Sequence, residues 1–155
     1  MSPTFREVKI DRRPTGSFFR ENERRATFRP RPRPIDLNPI RKGGLNVLER
    51  IASATNRETI RTEIIRLRTR VLPILSLQEQ RVFGFALTQV LRRPQLRKAI
   101  ATELQSGKSF REAFSTSTFN FINFINTLPA QRREPLLPYA RRLDYTRRVF
   151  NSYKF

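Results

Sequence analysis

From about residue 45 onward, apolar side chains recur at steps of three and four, the spacing of one face of an α-helix rather than the strict alternation of a strand. Leu45, Leu48 and Ile51 or Ala52 predict a helix over about 45–53, and Ile60, Ile64, Leu67 and Val71 a second over about 57–72 that stops before Pro73. A third, over about 77–92, is apolar almost all round (Leu77, Val82, Phe83, Phe85, Leu87, Val90, Leu91), the pattern of a central buried helix. Gly84 within it is expected to allow a close helix crossing.

Pro94 ends that helix and suits the first turn of a fourth, over about 95–105, with Leu96, Ile100 and Leu104 inward and Gly107 as its C-terminal stop. Phe110, Phe114, Phe121, Phe124 or Ile125, and Leu128 predict a fifth over about 110–128. The apolar density of FNFINFI there also suits a strand, but Asn123 breaks the alternation a strand needs. A last helix over about 135–151 would hold Pro135 and Pro138 in its first turn and bury Leu136, Tyr139, Ala140, Leu143 and Phe150. Three capping boxes, Thr55 with Glu58, Ser76 with Glu79 and Ser109 with Glu112, stand ahead of helical stretches. The fold class that follows is all-α, a small bundle of five or six short helices.

Residues 1–44 read differently. They hold six of the eleven prolines and lack a periodic apolar face, so they are expected to form an extended or disordered basic arm ahead of a helical domain over 45–155. RKGG, Arg41 to Gly44, is the expected hinge between the two. VKI at residues 8–10 suits a short strand, and Phe5, Phe18, Phe19 and Phe28 exceed what a plain linker needs.

Charge narrows the class of partner. The chain of 155 residues carries 27 Arg and 5 Lys against 13 acids, a net charge of +19, so a polyanion is the first partner to consider. The excess of Arg over Lys suits bidentate capture of phosphate oxygens. With no Cys and no His, a disulfide, a thiolate metal site and the commonest general base are all excluded. No Gly-rich phosphate loop and no metalloprotease or hydrolase motif is present, and the acids are scattered, so neither an enzyme nor a cofactor is expected. No apolar run reaches the ~18–20 residues that cross a bilayer, and the N-terminus, which carries Glu7 and Asp11 and lacks an apolar core, resembles neither a secretory signal nor an organellar presequence. An intracellular or particle-enclosed protein is the expectation.

Candidate contacts fall in four stretches. On the last helix Arg141, Arg142, Tyr145 and Arg148 spread over the side opposite the apolar one, where a tyrosine can stack on a base while guanidiniums hold phosphates. RLRTR supplies Arg66, Arg68 and Arg70 with few acids to answer them, and LRRPQLRK supplies Arg92, Arg93 and Arg97. In TFRPRPRPIDLNP, Arg29, Arg31 and Arg33 alternate with proline. Polyproline II geometry would set them about 6 Å apart but pointing in different directions, a charged spacer that also binds rather than a ruler along one strand. RREPLLP, Arg132 to Pro138, matches the spacing of a Src-homology-3 ligand, although proline at a helix start explains it as well.

A basic, proline-rich arm joined to a compact domain is similar in layout, though not in motif, to many viral coat or nucleocapsid proteins and ribosomal proteins. The expected function is non-enzymatic binding of RNA or DNA, largely through phosphates, within a virion or ribonucleoprotein. The alternative is a matrix-like or assembly subunit whose basic surface meets acidic protein or an anionic membrane, with other subunits or further copies of itself as partners.

Overall fold

A computed structural model describes residues 35–155, and within them the chain is all-helical. Expectations for residues 1–34, including the VKI strand, the arm and its aromatics, and Arg29, Arg31 and Arg33, lie outside the described residues. Six helices of ten or more residues follow in order: α1 (Asn38–Ser53), α2 (Arg57–Arg66), α3 (Leu77–Arg92), α4 (Pro94–Gln105), α5 (Phe110–Asn126) and α6 (Leu137–Ser152).

The first helix begins well before residue 45. The Asp36 carboxylate accepts the Asn38 N–H at 3.0 Å and Pro39 occupies the first turn, so helix starts there and runs through RKGG, which is therefore no hinge. Two consecutive glycines inside a helix each cost roughly 1 kcal/mol against alanine. Packing explains the second: a Cβ on Gly44 would lie 2.7 Å from Phe83 Cε1 and 3.0 Å from Val71 Cγ1. Gly44, not Gly84, is thus the close crossing; a Cβ on Gly84 would meet nothing within 4 Å.

Capping decides the next starts. Asn56, not Thr55, caps α2, its side chain accepting the Thr59 N–H at 2.9 Å. Ser76 caps α3, but the return bond of the expected box is missing because the Glu79 carboxylate is engaged by Arg41 and Tyr153. Ser109 and Glu112 form the complete reciprocal box, and those bonds hold the Glu112 carboxyl below its usual range.

The second expected helix divides. After Arg66 the chain widens into a π-turn over Leu67–Val71 and tightens into a 3₁₀ turn over Leu72–Ile74 that contains Pro73. Leu67 and Val71 are both buried. The last expected helix divides too: an α-turn at Ala130–Arg133 and a 3₁₀ turn at Glu134–Leu136 precede α6. RREPLLP is therefore helical, not the polyproline II form a Src-homology-3 domain takes. Gly107 closes α4 with φ +94°, the left-handed stop expected of it.

The core forms around α1, which packs against α2, α3, α4 and α5. At its aromatic centre Phe150 of α6 lies 5.2 Å from Phe83, 5.4 Å from Phe114 and 6.4 Å from Phe110 by ring centroids, so one ring joins α3, α5 and α6. These four phenylalanines are buried, whereas Leu77 is 71% exposed, so α3 is not buried all round.

Candidate nucleic-acid interface

The helices α3 and α6 pack antiparallel, Phe83 meeting Phe150 at one level and Phe85 meeting Tyr139 at another. Antiparallel packing lines the outer edge of α3, read from Gln78 to Arg92 and on to Arg93 in the turn that follows, against α6, read from Tyr145 back to Tyr139. This seam gathers Arg81, Arg142, Arg92 and Arg93 with Phe85, Tyr139 and Tyr145.

At one end Tyr145 is 44% exposed, and its hydroxyl accepts a hydrogen bond from Gln78 Nε2 across the seam. Gln78, Arg81, Val82, Phe85, Arg142, Tyr145 and Thr146 line a cleft of about 260 Å³ there. The Arg142 guanidinium lies 4.4 Å from the centre of the Phe85 ring. A guanidinium held over a ring by cation–π attraction keeps N–H donors with which to capture phosphate.

At the other end the Tyr139 hydroxyl donates to Gln89 Oε1, and the Arg93 guanidinium lies 4.8 Å over the Tyr139 ring. Burial raises the Tyr139 phenol above its usual pKa, with Arg93 opposing the shift. Arg92, Arg93, Pro94, Gln95, Leu96, Phe121 and Tyr139 line a second groove of about 360 Å³. Rings connect the two ends: Phe85 to Tyr139 is 6.1 Å, Tyr139 to Phe121 is 5.8 Å, and Phe121 to Phe124 is 6.4 Å.

On α6 itself Arg141, Arg142, Tyr145 and Arg148 share one exposed face, as their three- and four-residue steps require. Arg148 is held at 2.9 Å by Asp144, which also binds Arg147 at 2.6 Å. Arg141 has no acidic partner among the described residues.

The other expected contacts are placed elsewhere. Arg66, Arg68 and Arg70 stand on α2 and the π-turn, which pack on α1 rather than α6, so they form a separate patch. Arg66 pairs with the buried Glu63 at 3.5 Å, and Arg68 lines a groove with Arg57, Ile60, Arg61, Ile64 and Ile65. Arg97 serves the fold: its Nη2 donates to the Ile51 and Ala54 carbonyls at 3.3 and 2.7 Å, capping the C-terminal end of α1. Arg111 does the same for α6, donating to Phe150 and Tyr153 carbonyls at 3.3 and 2.6 Å.

Gln78 and Arg81 join the seam without having been singled out by sequence, and Phe85, Tyr139, Phe121 and Phe124, expected only as apolar-face residues, join it too. A signal existed on α3, where Gln78, Arg81, Phe85, Gln89 and Arg92 recur at steps of three and four beside the apolar stripe. No protein-family model matches the chain, and no curated protein or solved structure matches it. Among the described residues no three His, Cys, Asp or Glu side chains come together as a metal site, and no helix is long and apolar enough to cross a membrane.

Proposed function

We propose that this protein is a non-enzymatic nucleic-acid-binding protein that works as a structural component of a virion or ribonucleoprotein. One observation carries the reading. Residues 35–155 hold 22 Arg and Lys against 9 Asp and Glu, and several of those acids are drawn into pairs within the fold, as Glu79, Glu63 and Asp144 are. Arg68, Arg70, Arg81, Arg92 and Arg141 are left exposed with no acidic partner among the described residues. Like charge at this density repels itself, and a polyanion relieves the repulsion. Arg29, Arg31 and Arg33 add to the same charge by sequence.

Phosphate contact of this kind is largely independent of base sequence and releases counterions. Titration of labelled RNA and DNA across a salt series tests it: log affinity falls linearly with log salt, with a slope set by the number of phosphates neutralised. Absence of binding at low salt overturns the reading.

A second reading, an assembly or matrix-like subunit, draws on exposed apolar side chains. Leu77, Phe119 and Phe124 are 71%, 54% and 57% exposed and would suit a protein neighbour or an anionic membrane. Sedimentation with anionic vesicles in place of nucleic acid separates the two readings.

A further inference from the structure

We infer, resting on the nucleic-acid reading above, that the α3–α6 seam takes an unpaired strand, RNA or DNA, and that one base stacks on the Tyr145 ring at the mouth of the Gln78–Arg81–Arg142 cleft. Three features of the seam lead there.

The first is the presentation of the ring. Tyr145 is 44% exposed, and its bond to Gln78 on the neighbouring helix fixes where its ring stands. An aromatic face held at the surface gives a base a partner at no further ordering cost to the side chain. In a duplex the base faces are already covered by their neighbours, and only base edges and phosphates are accessible. The fixed ring therefore adds nothing to duplex binding and much to single-strand binding, while the guanidiniums beside it hold the phosphates of either.

The second is continuity. From Gln78 to Arg92 the edge of α3 runs about 21 Å at 1.5 Å per residue. Along it the aromatic line from Phe85 through Tyr139 and Phe121 ends at Phe124, 57% exposed beside the second groove. Arg81 and Arg142 flank the first cleft, and Arg92 and Arg93 the second. Exposed rings at Tyr145 and Phe124 with guanidiniums between them suit a single strand, bases on rings and phosphates on guanidiniums, while Phe85 and Tyr139 lie under Arg142 and Arg93 and hold those guanidiniums in place.

The third is what the cleft lacks. Gln78 is the only side-chain amide lining it, and its Nε2 is engaged by the Tyr145 hydroxyl. A base is thus held by its face, with little reading of its edge, and strands of differing sequence bind alike.

The test uses the full chain with four labelled probes: single-stranded RNA and single-stranded DNA of about 15 nucleotides, long enough to cover the seam, and the matching duplexes. At equal salt the single strands bind at least about tenfold more tightly than the duplexes. Tyr145→Ala weakens single-strand binding by about 5- to 150-fold, the usual worth of one stacked base, without changing the salt slope or duplex binding. Tyr145→Phe keeps the ring and retains affinity. On the unsubstituted protein, Tyr145 ring-proton resonances move upfield when the single strand is added, which covers the case of a Tyr145→Ala variant that fails to fold. The RNA to DNA affinity ratio identifies the polymer. Equal affinity for single strands and duplexes, an inert Tyr145→Ala, or unshifted ring protons, with salt-dependent binding preserved, overturns the stacking site and leaves the proposed function standing. No binding to any probe at low salt overturns both.

Discussion

Arg41 and Glu79 form a two-armed ion pair, Nε to Oε2 at 2.7 Å and Nη2 to Oε1 at 3.0 Å, that fastens the first turn of α1 to the first turn of α3. The same carboxylate accepts the Tyr153 hydroxyl at 3.2 Å, and the Arg41 guanidinium lies 5.2 Å from the centre of that ring. Asn38 Nδ2 donates to the Lys154 carbonyl at 3.2 Å, so the beginning of the described chain and its end meet at one polar node. Burial, with Glu79 adding to it, pushes the Tyr153 phenol well above its usual value.

This node makes stability sensitive to acid. The Arg41 hydrogen bonds hold the folded Glu79 carboxyl below its usual 4.5, so the unfolded chain binds the proton more readily than the folded one. The contribution of the pair is complete above the unfolded value and is lost as pH falls through the folded one. Glu79→Gln should cost about 1.5–3 kcal/mol at neutral pH and flatten the acid limb of a stability curve measured by urea melts between pH 3 and 7. An unchanged acid limb would contradict the node's role.

The three helical glycines should respond with opposite signs. Gly44→Ala drives a methyl against the fully buried Phe83 ring and should destabilise by about 1–3 kcal/mol. Gly43→Ala and Gly84→Ala meet no atom within 4 Å and should each stabilise by roughly 0.5–1 kcal/mol. Thermal melts of the three variants make the comparison.

Phe150→Ala should be among the most damaging core changes, about 3–5 kcal/mol, because this one ring contacts phenylalanines on both α3 and α5. Phe124→Ala, at an exposed ring, should stay within about 0.5 kcal/mol in the same denaturant titration.

Two arginines of similar sequence appeal should separate cleanly. Arg97→Gln removes charged donors from the Ile51 and Ala54 carbonyls and should cost about 1.5–3 kcal/mol with the salt slope of nucleic-acid binding unchanged. Arg141→Gln should leave the melting curve in place and reduce that slope by about 1. Paired melts and salt titrations distinguish a fold arginine from a binding one.

Helical periodicity, the Ser109 box, the Gly107 stop and the proline positions made the all-α class and most helix ends readable from the chain, because each is a local preference of neighbouring residues. The start of α1 was not: RKGG looks like a break until Phe83 and Val71 are brought against Gly44, and only packing explains a glycine in mid-helix. Glu79 likewise looked like half of a capping box until Arg41, 38 residues away, claimed its carboxylate. For the candidate interface the chain alone pointed to charge and to Tyr145 among arginines. Which arginines face outward together was decided by the antiparallel pairing of α3 with α6, which brings Gln78 and Arg81 to Tyr145 and Arg142 and leaves Arg97 to cap α1. Sequence carries the propensity of each segment and the sign of its charge; the relative placement of side chains tens of residues apart exists only after the apolar faces have been buried against one another.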